Sequence, residues 1–361
     1  MKRTCARMAA ALLAAILFLP CNAKAISAKS AVVMDGVTGR LLYEKNCNSK
    51  SLIASTTKIM TALVICEQCN VLDRVRIPKE AVGIEGSSMY LQAGEILTVQ
   101  ELLYGMMLHS GNDAATALAI YCGGTLEGFV QLMNDKARVL SMVNTHFGNP
   151  HGLDHPDNYS TAEDLAILAA YAMDNPIFAK TVSTRQIQIG NRYLRNHNKL
   201  LWRVDGADGV KTGYTRAAGR ILVSSANRQG RRLIAVTISA PDDWNDHSVM
   251  LEKGFTEFSV KTLINNGDCI GYLPVAGSKE QQVSLLSAVS FSYAVAENEK
   301  IEICRQNTPF VYAPVALGQD AGYGNILVAG PVVGKIPVVY GETLEQIPVE
   351  KKSFWKRMFG D

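Results

Sequence analysis

Histidine is scarce in this sequence, six in 361 residues, and no H-E-x-x-H pair occurs. That pair is how one helical turn offers two imidazoles to zinc, so a helix-borne metallopeptidase site is excluded. His151-Gly152-Leu153-Asp154-His155 has the ligand types, but Asn149-Pro150 and Pro156 around it make it a loop. Net charge is also low, +3 at pH 7. Four of the basic residues (Lys2, Arg3, Arg7, Lys24) and no acid fall in the first 25 residues, which leaves the rest at about −1. No basic field remains to hold phosphates, so nucleic acid is not an expected partner. No metal and no cofactor is expected.

The chain does have an export pattern at its start. A basic opening is followed by the apolar run Ala9–Leu19 and by Ala23-Lys24-Ala25, a small-residue cleavage pattern. Residues 1–25 are read as a secretory signal peptide. The apolar run is too short to span a bilayer, and Pro20 stands against lipidation at Cys21. A secreted, extracytoplasmic protein is expected. Its remaining cysteines are Cys47, Cys66, Cys69, Cys122, Cys269 and Cys304. Outside the membrane a disulfide is chemically allowed. Cys66 and Cys69 have redox-pair spacing but fall at the end of a predicted helix with no βαβ pattern, which reads as structural. Six thiols allow too many pairings to choose one.

With 361 residues, 48% hydrophobic, the chain fits one large domain and a smaller one. Strand-like runs at 31–34 and 41–43 flank the turn residues Asp35-Gly36 and Thr38-Gly39, a hairpin. A helix is predicted from Ser55 to about Cys66, with Ile59, Met60, Leu63 and Val64 inward. Thr98–Glu101 and Ser160–Glu163 both fit a capping box opening helices to about His109 and Met173. Another helix should run from Asp113 to about Tyr121, stopped by Gly123-Gly124. Arg220–Ala226 and Arg232–Ser239 read as strands joined by Asn227-Arg228-Gln229-Gly230. Beyond Val260 only short strands remain, at 270–275, 282–286, 291–295, 301–304 and 326–340. The tail gathers Phe354, Trp355, Met358 and Phe359 on one helical side among cations, which suits a membrane interface.

Three short motifs carry chemistry. In Ser55-Thr56-Thr57-Lys58, positions i and i+3 share a helix face. A serine hydroxyl needs a base, and a lysine is a base only when neutral. Burial and a second cation lower a lysine pKa, and Lys211 is the candidate second cation. Ser110-Gly111-Asn112 lies between two predicted helices, where Gly111 allows a sharp turn and a hydroxyl and an amide project together. In Lys211-Thr212-Gly213, on a strand, an ammonium beside a hydroxyl makes a carboxylate site, and Gly213 admits a substrate backbone. Decoys of the first two patterns occur at Ser353–Lys356 and Ser225–Asn227, so the weight rests on order and context.

In this order the motifs resemble the penicillin-binding protein and serine β-lactamase superfamily, and more closely its low-molecular-mass D-Ala-D-Ala carboxypeptidases. The resemblance extends through Leu52–Thr61, Gly86–Leu91, Ser110–Ala115, Asn149–Asp154, Tyr159–Ala162 and Asp208–Thr215. It implies an α+β fold: a β-lactamase/transpeptidase-like domain (antiparallel sheet with helices) over 26–259 and a small all-β domain over 260–345. Residues 346–361 form the amphipathic tail, placed on the outer membrane surface of the cell. It implies that Ser55 attacks the bond between two D-alanines of a peptidoglycan stem peptide, that Lys58 takes its proton, and that Ser110 relays a proton to the leaving group. Asn112 would hold the substrate amide and the Lys58 amine. Lys211 and Thr212 would bind the terminal carboxylate, with Gly213 and Thr215 beside them, and the N–H groups of Ser55 and Tyr214 would form the oxyanion hole. β-Lactams would act as inhibitors. The class A glutamate that activates a deacylating water, followed two residues on by Leu-Asn, is not found, which argues against a β-lactamase. A D,D-endopeptidase on the same site remains an alternative, with a metallopeptidase or a non-catalytic wall-binding protein more remote.

Overall fold

The computed structural model describes residues 25–305 and 308–348. The signal-peptide reading of residues 1–25 and nearly all of the amphipathic tail lie outside them.

A five-stranded antiparallel sheet organises the first domain. Its strands are β1 (Ser30–Asp35), β2 (Leu41–Lys45), β3 (Ala207–Thr215), β4 (Gly219–Arg228) and β5 (Arg231–Ile238), in the order β2-β1-β5-β4-β3. The predicted hairpins are all present. Alternation along a strand sends successive side chains to opposite faces. Val32, Met34, Ile234 and Val236 accordingly join one hydrophobic core, while Ala31, Val33, Leu233 and Ala235 join a second. The sheet is therefore covered on both sides.

The larger core is helical: α1 (Lys58–Gln68), α2 (Val99–Leu108), α3 (Asn112–Gly123), α4 (Leu126–Val139), α5 (Ala162–Met173) and α6 (Pro176–Ser183). On the other face lies α7 (Asp243–Glu257), through Met250 and Leu251. The capping box at Thr98 is complete: Thr98 N donates to Glu101 Oε2 at 2.7 Å, and Glu101 N donates to Thr98 Oγ1 at 3.2 Å. The second box is not as predicted. Thr161 is the cap of α5 and accepts from Asp164 N at 3.1 Å. Ser160 is held instead in a two-residue strand against Ser51. The amphipathic reading of α1 is also too narrow, because every residue from Lys58 to Ile65 is buried. A helix enclosed by other helices needs no polar face.

α7 runs directly into β6 (Phe258–Ile264), which begins the C-terminal all-β domain. This domain also holds β7 (Cys269–Ala276), β8 (Gln282–Ser287), β9 (Phe291–Ala296), β10 (Ile301–Arg305), β11 (Val311–Tyr312), β12 (Asp320–Val328) and β13 (Val332–Tyr340). β6 pairs with β9, and the others form a six-stranded sheet in the order β10-β12-β13-β8-β7-β11. The run 326–340 is not one strand. It reverses at Ala329 and Gly330, whose φ values of +54° and +112° make the turn between β12 and β13.

Arg40, in the loop between β1 and β2, ties the two domains. Its guanidinium donates to Glu299 Oε2 at 2.7 Å, to Glu299 Oε1 at 2.5 Å and to the Ala294 carbonyl at 2.6 Å. It also stacks near the rings of Phe258 and Tyr293, at 5.1 and 5.4 Å. Paired charge-assisted bonds of this kind exceed an ordinary surface ion pair. Glu299→Ala is expected to cost about 1 kcal/mol and to speed limited proteolysis around 257–262 several-fold. Unchanged cleavage kinetics would show that the clamp does not hold the junction.

Candidate active site

The 3-10 turn Ala54–Thr57 delivers Ser55 to the start of α1. Its threonines are buried: Thr56 Oγ1 donates to the Ile53 carbonyl at 2.5 Å, and Thr57 Oγ1 accepts from Asn158 Nδ2 at 3.0 Å. Lys58 Nζ lies 3.1 Å from Ser55 Oγ, 2.6 Å from Asn112 Oδ1 and 2.5 Å from the His151 carbonyl. Its side chain is fully buried. Burial first, and then the nearby Lys211, push its pKa well below the ordinary lysine value, against a weaker opposing pull from Asp113. A neutral amine has two N–H bonds and one lone pair. The two carbonyl oxygens take the N–H bonds, which leaves the lone pair for the Ser55 O–H.

Ser110 and Asn112 come from the α2–α3 junction. The turn there is not made by Gly111, whose φ is −57°. Ser110 itself takes the left-handed conformation, φ +64°. Gly111 is needed for space: a Cβ would sit 2.8 Å from Asp113 Oδ1 and 3.1 Å from Met89 Cγ. Asn112 Nδ2 donates to the Glu85 carbonyl at 2.5 Å. Buried Asp113 accepts from Ser88 Oγ (2.6 Å), Met89 N (3.0 Å) and Leu91 N (3.1 Å), so the 85–91 loop is strapped to the start of α3.

Lys211, Thr212, Gly213 and Tyr214 lie on β3, the free edge of the sheet. Lys211 is buried, and desolvation brings its pKa down to about 7. Its Nζ donates to the Thr212 carbonyl at 2.9 Å. Gly213 fits against the Ser55 turn, where a Cβ would come within 3.3 Å of Ser55 N and 3.2 Å of the Ile53 carbonyl. Gly152, at φ +88°, leaves even less room, since its Cβ would overlap the Ala54 carbonyl at 1.9 Å. The 149–154 loop thus braces Ser55 from behind and supplies the His151 carbonyl to Lys58.

Ser55, Ser110, Thr212, Gly213 and Tyr214 line one cavity of about 340 Å³. Lys58, Asn112 and Lys211 are buried beside it. Thr215 does not line it. Its hydroxyl donates to Asp154 Oδ1 at 2.8 Å and accepts from Ala218 N at 3.1 Å, tying β3 to the 149–154 loop. Sequence reading missed Ser87, His197, Lys199, Arg220, Asp243 and Trp244, which with Ile221 complete the lining. Arg220 could have been found, because hairpin register sets it opposite Tyr214. Asp243 is engaged by Arg220 through bonds of 2.8 and 2.9 Å. His197 is held near pKa 4 by burial, Lys211 and His109. Among the described residues no group of three histidine, cysteine or acidic side chains is placed to hold a metal.

A hydroxyl beside a buried amine of lowered pKa, on a helical layer over an antiparallel sheet, fits a serine hydrolase of the acyl-enzyme class. The chain belongs to the D-alanyl-D-alanine carboxypeptidase family, whose model matches residues 19–242. A second model, for the C-terminal domain of penicillin-binding protein 5, matches residues 258–346. D-alanyl-D-alanine carboxypeptidase DacF of Bacillus subtilis is 33% identical over 350 residues, 92% of this chain and 90% of that one. DacC of Escherichia coli is 32% identical over 90% of this chain and 86% of its own. Penicillin-binding protein 5 from Haemophilus influenzae superposes with a TM-score of 0.76 at 29% identity, covering 89% of this chain and 98% of that one. The Streptomyces K15 DD-transpeptidase matches with a TM-score of 0.62 at 34% identity, over 64% of this chain and 97% of its own. This protein is a serine-type carboxypeptidase of the penicillin-binding protein family.

The two lysines leave a mark on stability. The unfolded chain binds their protons up to the ordinary lysine value of 10.5, while native Lys211 loses its proton near 7. The unfolded state therefore holds more protons across that window, and stability rises with pH there. Lys211→Met should flatten the rise by about 1 kcal/mol per pH unit between pH 7.5 and 9.5, read from urea midpoints. Equal slopes for variant and parent would mean that Lys211 is charged in the native fold.

Proposed function

We propose that Ser55 is the nucleophile and Lys58 its base, acting on the terminal D-Ala-D-Ala of peptidoglycan stem peptides. The observation that supports this most is the Lys58 amine, buried, with its pKa pushed well below the ordinary lysine value, and 3.1 Å from Ser55 Oγ. The substrate lies along the free edge of β3 as an added strand. Lys211 and Thr212 receive its carboxylate. Ser55 Oγ attacks the penultimate carbonyl as Lys58 takes the proton. The developing oxyanion is met by the N–H groups of Ser55 and Tyr214, an arrangement in which loss of one donor costs about 100- to 1,000-fold. Ser110 passes the proton to the departing D-alanine amine. Asn112 holds Lys58 through Oδ1, and its amide stays near the substrate.

Water then attacks the acyl-enzyme. The acid in the cavity lining, Asp243, is committed to Arg220, so Lys58 serves as the base for this step too. A β-lactam that acylates Ser55 is released slowly for the same reason. Residues 26–259 form the catalytic domain and 260–345 the accessory one. Residues 1–25 direct export, and residues 346–361 rest on the outer surface of the cytoplasmic membrane.

Ser55→Ala is expected to abolish both D-alanine release from a diacyl-D-Ala-D-Ala peptide and covalent labelling by a fluorescent penicillin. Retained labelling would move the nucleophile elsewhere. The pH profile of kcat/KM should be bell-shaped. It rises as Lys58 loses its proton and falls with an apparent pKa of about 7 as Lys211 loses its own. Lys211→Arg, which stays charged, should carry the alkaline limb upward; an unmoved limb would remove Lys211 from carboxylate binding. Deletion of 346–361 should shift the protein from sedimenting with anionic vesicles to the supernatant, with kcat unchanged.

A further inference from the structure

Three thiols gather at the far end of the two helices that meet at the active site. α1 begins with Lys58 and ends at Gln68, followed by Cys69. α3 begins with Asn112 and carries Cys122 at its last turn. Lys58 and Asn112 bond to each other at one end of this helix pair. At the other end Cys69 and Cys122 are neighbours, with Cys66 one turn back on α1.

The surroundings hold them there. Cys66, Cys69 and Cys122 all pack against the same hydrophobic core. The chain leaving α1 bonds back to the end of α3 through Tyr121 Oη and Asp73 Oδ2 at 2.8 Å. Cys69 has left the helix, with φ −117° and ψ 147°. All three thiols are free and partly exposed. Cys66–Cys69 spacing suggests a pair in the sequence, but in the structure Cys69 also neighbours Cys122 on the other helix.

We propose that Cys69 and Cys122 form a reversible disulfide that joins the ends of α1 and α3 opposite the Lys58–Asn112 bond. Attack by the Cys122 thiolate first, or by that of Cys69 first, gives the same product. The oxidant is a disulfide of the glutathione type. Cys122 sulfur bonds to one of its sulfurs and expels the other as a thiolate. Cys69 sulfur then attacks the Cys122 sulfur of the mixed disulfide and expels the second thiolate. Two cysteine protons and two electrons leave the protein, and one disulfide becomes two thiols. The cross-link closes the chain between the helices that carry the base and its holder, which limits the unfolded state and keeps those helices in register.

The test uses the full chain incubated with oxidised or reduced glutathione, with thiols counted, disulfides mapped by peptide mass, and melting followed. Oxidation should remove two thiols, yield a Cys69–Cys122 peptide, and raise Tm by about 5–10 °C, reversed by dithiothreitol. Cys66→Ser should keep all three effects, and Cys69→Ser and Cys122→Ser should each lose them. A Cys66–Cys69 peptide, a mixed disulfide that never resolves, or an unaltered thiol count in the folded chain would overturn the proposal.

Discussion

A lysine amine buried inside the protein is the constraint on which the rest of this molecule depends. Lys58 has been taken out of water and set near a second cation, and both push its pKa down. Two carbonyl groups then fix where its remaining electrons point. Each element of the first domain contributes to that arrangement. α1 is enclosed by helices on every side, the 149–154 loop closes the back, and the edge strand presents Lys211. A buried amine is costly to fold around, so the helical layer must be large to carry it. The burial of that amine and the size of the apolar core thus go together.

Close backbone approach is the second theme. Gly111, Gly152 and Gly213 leave the gaps in which the Ser55 turn, the Ser110 turn and the bracing loop meet without side chains between them. Strain is carried elsewhere, at Ala54 and Ser110, which adopt left-handed φ values without being glycine. Non-glycine residues held in that region persist where surrounding structure over-determines them. Here those surroundings are the buried threonines before α1 and the four bonds to Asp113.

Much of this was legible in the sequence, though unevenly. Hairpins announced themselves through turn residues, and Thr98 through its glutamate three positions on. The three motifs met as their spacing and order required. Other features were readable but overlooked. Thr125 followed by Phe129, Met133 and Ala137 marks α4, and Asn175-Pro176 is a cap and first-turn pair for α6. Still others had no local signal. The role of the His151 carbonyl depends on a fold that brings a distant loop beneath Lys58. The partnership of Cys69 with Cys122 depends on where two helices end, which residue spacing cannot express.

The open edge of β3 has a consequence for the company this protein keeps. A strand with unpaired peptide groups welcomes any extended chain, including an identical neighbour. Here that edge faces a cavity that Ser55 and Ser87 also line, so whatever pairs with it must fit between the Ser55 turn and the 85–91 loop.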